Sequence, residues 1–325
     1  MKHLSEVLKQ NNSITELNIA GNEIEDEGMK CLIDLLELNN SLATLDISET
    51  IVPIESFCIM LEKNKTLESL YLSKNYIEME PVSDEIKAIA HLVSLNTPLT
   101  NLDLSHNKLG NEGIKLLSEA VKNNHTLEKL NLSNIGMESE GMGYLSELKD
   151  NKSITDLNIS GNKIGIKGIE YLIDYLNGNS SLTALNISKT LVGAAGMIQL
   201  YKALYNNKTI SSLYLDSNKI GYDIPEQALV EAECITSLLK FSQSLTFLDL
   251  SNNNIGKVVE YLKLGLASNT TLTRLYLYNN NIESADHKSL IETPKGNKDL
   301  KIYIDSNDHT TLIGVNELTD ESTVE

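Results

Sequence analysis

The side chains with the most chemical potential are scattered. Six histidines (His3, His91, His106, His125, His287, His309) and three cysteines (Cys31, Cys58, Cys234) stand in unrelated stretches, without metal-ligand spacing and without a CxxC pair. One grouping invites a triad reading: Asp103, Ser105 and His106 are nearly contiguous. The same Asp-x-Ser pair recurs elsewhere without a histidine, at Asp46/Ser48 and Asp249/Ser251, so it reads as filler rather than as a nucleophile with its base. No phosphate-cradling P-loop and no dinucleotide fingerprint occurs either. The expectation is a protein that is not an enzyme and takes no cofactor and no metal.

Binding chemistry is a different matter, and it becomes visible against a period. The stretch LTNLDLSHNKLGNEGIKLLSEAVKNN, residues 99–124, opens with Leu99, Leu102, Leu104 and Leu109, with Asn107 between the last two. Ile114, Leu117 and Val121 then fall on one helical face. The grammar restarts at Leu127 and recurs along the chain at spacings of 25 to 35 residues. Asn stands three residues before ten of the eleven strand starts, Ser242 being the exception, and tolerance of a left-handed helix stop is the expected reason. A second Asn column follows each strand, with Thr50, Ile135 and Thr190 as departures. A buried amide there can satisfy adjacent turns. Thr can supply part of that bonding and Ile none, so a shifted loop or a bound water is expected at Ile135.

This LxxLxLxxNxL pattern with a full helix resembles the leucine-rich repeat, and its period of about 28 residues resembles the ribonuclease-inhibitor type. The resemblance covers residues 1 to about 308. It implies an α/β solenoid, a horseshoe of about 11 repeats with parallel strands on the concave face and helices on the convex face. Strands about 4.8 Å apart against helices roughly 8–10 Å apart force that curvature. The first half-unit, Met1 to Asn12, is expected to cover the core through Leu4 and Leu8. Residues 13–152 look duplicated as 153–298: SITELNIAGNEI matches SITDLNISGNKI, and both SLYL units precede acidic, proline-bearing insertions at 77–81 and 222–226. Residues 309–325 form an acidic tail, expected to be flexible.

Charge narrows the partners. Acidic residues outnumber basic ones by 18, and the basic set includes a single arginine, Arg274. That balance argues against nucleic acid, which needs a basic patch, and favours a basic protein. No apolar run is long enough to span a membrane, and MKHLSEVLKQNN does not read as a signal peptide. An odd number of dispersed cysteines fits reduced thiols in a cytosol. The repeats also resemble those of effectors that intracellular bacterial pathogens send into host cells, and ELTDESTVE is similar to acidic type IV secretion signals. What this implies is a monomeric module engaging host proteins. Two other readings are a GTPase-activating or other enzyme-regulating repeat protein, and a cytosolic housekeeping scaffold.

Side chains alternate across a strand, so the residues flanking the second and third Leu of each repeat point into the concave face. There Asp, Asn and Ser dominate and are read as solvated filler. The departures are Tyr71, Tyr214, Phe247, Arg274, Tyr276, Tyr278 and Tyr303, with Asp249 between Tyr214 and Tyr276 in the central column. Aromatic residues and Arg are the types enriched at binding hot spots. Cross-strand stabilisation by Tyr is the competing explanation. The expected protein-binding site is the C-terminal third of the concave face, repeats nine to eleven, with Tyr71 and Tyr214 standing apart from that cluster.

Overall fold

The computed structural model describes residues 1–50, 53–77, 83–221, 225–293 and 296–304. Most of both acidic insertions and the whole tail lie outside the described residues. Among the described residues an 11-stranded parallel sheet runs in strict chain order, β1 to β11. Each strand is three residues long, from β1 (Glu16–Asn18) to β11 (Lys301–Tyr303), and a helix follows each of the first ten. Helix α1 (Lys2–Leu8) precedes β1, and helices α1 to α10 each pack on their chain neighbours. The middle residue of each strand points inward: Leu45, Leu102, Leu185 and Leu275 are all 3 % exposed or less. In α5 (Gly110–Val121), Ile114, Leu117 and Val121 are fully buried, as their spacing predicts. One apolar core runs unbroken from Leu8 to Ile304. At the N-terminal end Leu8 covers that core, but Leu4 is 40 % exposed. Ser5 is turned inward instead, its hydroxyl donating to the Cys31 carbonyl at 2.6 Å.

The asparagines before the strands work through their side chains, not through a left-handed backbone. Asn39, Asn151, Asn179 and Asn207 are extended, with φ between −64° and −86°. In Asn39, Oδ1 accepts the N–H groups of Ser41 and Leu42 at 2.9 and 2.8 Å, which turns the chain into the strand. Its Nδ2 donates to the Leu8 and Asn11 carbonyls of the preceding unit at 2.8 and 3.0 Å. Asn151 and Asn179 repeat the pattern. Within this column only Asn96 has a positive φ, 50°. Two residues on stands Pro98, which has no N–H to offer the turn. Ser242 keeps half of the function, its Oγ accepting the Leu245 N–H at 3.1 Å. In the sequon Asn124-His125-Thr126, the Asn124 amide is committed to the fold: the residue is 2 % exposed and Nδ2 donates to the Val93 carbonyl at 2.7 Å.

The second Asn column stitches repeat to repeat. Fully buried Asn162 donates through Nδ2 to the carbonyls of Leu132, Ile159 and Ser160 at 2.8, 2.9 and 3.2 Å. Its Oδ1 accepts from Ile135 and Met137 N–H at 3.2 and 3.0 Å. Thr50 and Thr190 replace part of this set, each hydroxyl donating to a carbonyl three residues back at 2.6 Å. Ile135 causes no shift of its loop. Its side chain is buried, its N–H reaches Asn162 and its carbonyl accepts the Gly110 N–H at 3.0 Å. The next repeat's Asn162 bonds the Leu132 carbonyl, so the ladder tolerates one missing amide.

A buried amide with five partners should be costly to remove. We expect Asn162→Ala to lower unfolding free energy by about 2–4 kcal/mol, because several buried groups lose their partners. Asn22, exposed and bonded only within its own repeat at 2.9 and 3.1 Å, should cost under about 1 kcal/mol on the same change. Urea unfolding of both variants checks this. Equal losses would contradict a role that depends on bridging repeats.

Candidate functional site

The strands place three side-chain rows on the concave face. Strand pairing fixes the central row as Asn18, Asp46, Tyr71, Asp103, Asn131, Asn158, Asn186, Tyr214, Asp249, Tyr276 and Tyr303. The Asp and Asn members are not merely solvated filler. Each accepts the N–H two residues on, as at Asp46 to Ser48 (2.9 Å), Asp103 to Ser105 (2.7 Å), Asn158 to Ser160 (3.0 Å) and Asp249 to Ser251 (2.8 Å). The bond ends the strand and starts the turn. A tyrosine in this row gives that acceptor up. In the third repeat a neighbour compensates, the Ser73 N–H donating to Ser48 Oγ at 3.2 Å.

The predicted aromatic residues converge at the C-terminal end. On β8 (Ser212–Tyr214), β9 (Phe247–Asp249), β10 (Arg274–Tyr276) and β11 they form a continuous run of rings. Ring centroids lie 4.7 Å apart for Tyr214–Phe247, 5.2 Å for Phe247–Tyr276 and 4.5 Å for Tyr276–Tyr303, the last pair stacked at 10°. Tyr278 adds to the run, 5.7 Å from Tyr276 and 6.5 Å from Tyr303. All five rings are half-buried, so each keeps a face or an edge toward the concavity. Arg274 is exposed, in register between Phe247 and Lys301. Tyr71 is not part of the run. It sits five strands away, flanked in its row by Asp46 and Asp103.

Similarity to known proteins agrees with this architecture. A family model described as "Leucine Rich repeat" matches residues 10–32, 95–118, 150–172 and 241–258. A solved leucine-rich-repeat-containing protein, LegL7 from Legionella pneumophila, superposes with a TM-score of 0.62 at 20% identity, covering 91% of this chain and 95% of that one. The chain carries leucine-rich repeats and folds as a leucine-rich-repeat solenoid. Mouse ribonuclease inhibitor is 31% identical over 142 residues, covering 35% of this chain and 31% of the inhibitor. Mouse NACHT, LRR and PYD domains-containing protein 4C is 34% identical over 93 residues, covering 27% of this chain and 10% of that protein. The chain thus matches about a third of one relative's length and a tenth of the other's. What these proteins share with it is the leucine-rich-repeat solenoid fold.

Within this leucine-rich-repeat scaffold, the side chains of Asp103, Ser105 and His106 also take partners in the neighbouring repeats. His106 Nε2 lies 3.3 Å from Asn134 Nδ2, while Ser105 Oγ donates to Ser73 Oγ at 3.0 Å. Among the described residues no three His, Cys, Asp or Glu are grouped to hold a metal, and no helix is long and apolar enough to cross a membrane. Burial pushes the Cys58 thiol up to about 12, with Glu62 adding to the effect, which makes it a poor nucleophile. A cleft of about 600 Å³ lies at the helix-to-strand corner beside Asn96 and Pro98, away from every candidate residue.

Electrostatics singles out Asp249. Burial pushes its carboxyl up to about 6; the Ser251 hydroxyl and N–H oppose this and the nearby Asp216 carboxylate reinforces it. Asp216 and Lys301 were not among the residues expected in the site. Asp216 was legible as a departure from the Ser that fills its column in most repeats, and Lys301 stands in register with Arg274. A carboxyl with a raised folded-state pKa contributes stability in its neutral form. That contribution is complete below the unfolded value of about 4 and is lost as pH rises through about 6. Asn fills the same role in four other repeats, so Asp249→Asn should keep the turn. We expect it to be more stable than wild type at pH 8 by about 1–2 kcal/mol, with the advantage gone at pH 4. Urea midpoints at the two pH values test it, and a gap independent of pH would contradict it.

Proposed function

We propose that the protein binds a basic protein partner through the concave face of its last four repeats. The observation that carries this reading is the run of five half-buried rings, Tyr214, Phe247, Tyr276, Tyr303 and Tyr278. Tyrosine offers large, rigid contact area at low entropic cost, and clustered aromatic surface marks interaction sites. Stacking between strands accounts for part of the run. It does not account for the loss of the turn-forming Asp or Asn at Tyr214, Tyr276 and Tyr303. The excess of 18 acidic residues, with Asp216 and Asp249 beside the rings, favours a basic partner. Ribonuclease inhibitor, by its name, acts on a protein, which is the class of ligand proposed here.

The wider setting we propose is a monomeric bacterial effector that works in a host cytosol, delivered by a type IV system through the acidic ELTDESTVE end. Removal of residues 317–325 should abolish translocation into host cells, read by a reporter fusion, and leave partner binding intact. Undiminished translocation would remove that part of the proposal.

The docking face itself is tested by affinity capture from eukaryotic cytosol, wild type beside the Tyr276→Ala/Tyr303→Ala variant. A protein held by wild type should fall at least about tenfold in the variant, since hot-spot truncations cost about 2 kcal/mol or more. Its retention at wild-type levels would move the site off this face.

A further inference from the structure

Asp103 and Asp249 occupy the same row and open with the same neighbour, a tyrosine on the preceding strand. Their following neighbours differ. Asp103 is followed by Asn131, whose Nδ2 donates to its Oδ2 at 2.9 Å, while the Ser105 N–H serves Oδ1. Asp249 has the same N–H on Oδ1, from Ser251, but Tyr276 stands where the amide would be. A third ring has been added: Phe247 takes the place held by Asn101 beside Asp103, within 4.7 Å of Tyr214 and 5.2 Å of Tyr276. One aspartate therefore has an amide from the next repeat on its second oxygen. The other has tyrosines on both sides in its row, whose rings lean onto Phe247, and among the described residues its hydrogen bonds come from Ser251 alone.

A desolvated carboxylate between aromatic faces suits a planar cation. A guanidinium can fork onto a carboxylate and stack on rings at once, which a compact ammonium cannot. We propose that Asp249, between Tyr214 and Tyr276, is the seat of one arginine side chain of the partner. This deepens the docking reading above and rests on it. The charged groups around the seat are Asp216 from the turn after β8, which favours a cation, and Arg274 from β10, with Lys301 one strand further. Among the described residues Arg274 makes no ion pair with Asp249, and its exposed side chain lies in the row of Phe247. The two basic residues bound the seat on one side and direct an incoming arginine toward the aspartate.

The test uses the full chain with ¹³C-labelled tyrosine, titrated with N-acetyl-arginine amide at neutral pH and followed through the ring resonances of Tyr214 and Tyr276. Saturable shifts are expected in wild type. The dissociation constant should rise at least about tenfold in Asp249→Asn and stay within about twofold in Asp103→Asn, the matched aspartate outside the cage. N-acetyl-lysine amide should bind at least about threefold more weakly than the arginine compound. Wild-type affinity in Asp249→Asn, an equal loss in Asp103→Asn, or lysine matching arginine overturns the proposal. So does an absence of arginine binding to wild type. If the tyrosine double variant still loses its captured partner in that case, the docking face stands and the arginine seat alone falls.

Discussion

Everything in this fold depends on buried amides that reach from one repeat into the next. A three-residue strand supplies too few ladder bonds to fix its own turns. Asn39 and Asn162 show how the shortfall is met: one side chain accepts the N–H groups that shape a turn and donates to carbonyls of its own or the previous repeat. Water cannot replace these partners in the core, so each amide is worth more than an exposed one. The apolar layer between strands and helices supplies most of the driving force, spread over the arc rather than gathered in one place.

Because the amides carry the turns, the concave face is free to vary. The Asp and Asn of the central row help to end the strands, yet single positions can abandon that bond when the ladders on either side hold. Tyr71 does so once, in isolation. Tyr214, Tyr276 and Tyr303 do so within four consecutive strands, joined by Phe247 and Tyr278. Rigid backbone, regular spacing and half-buried rings give a preorganised surface, which reduces the ordering cost of binding.

Much of this was legible in the sequence. The period gave the sheet order and the register, because each inward Leu has to fall in the same layer; Leu45, Leu102 and Leu275 do. The members of the aromatic run could be named because filler residues made departures conspicuous. The mechanism of the Asn columns was not legible. Asn is compatible with both a left-handed stop and a side-chain turn, and only the extended backbone at Asn39 and Asn179 distinguishes them. Ile135 also escaped, since tolerance of a missing amide depends on Asn162 in the next repeat. Leu4 turned outward because Ser5 found a carbonyl partner, a choice that hydropathy does not encode. The environment of Asp249 could not be read from its own repeat alone, because its row neighbours Tyr214 and Tyr276 come from the strands on either side.

The most direct measurement is amide hydrogen exchange on the full chain, alone and with its captured partner. Residues 212–217, 247–252, 274–279 and 301–303 should gain protection on binding, while strands β1 to β5 and the convex helices stay unchanged. Protection confined to the helices, or to the strands before Tyr214, would contradict a docking face built on the aromatic run.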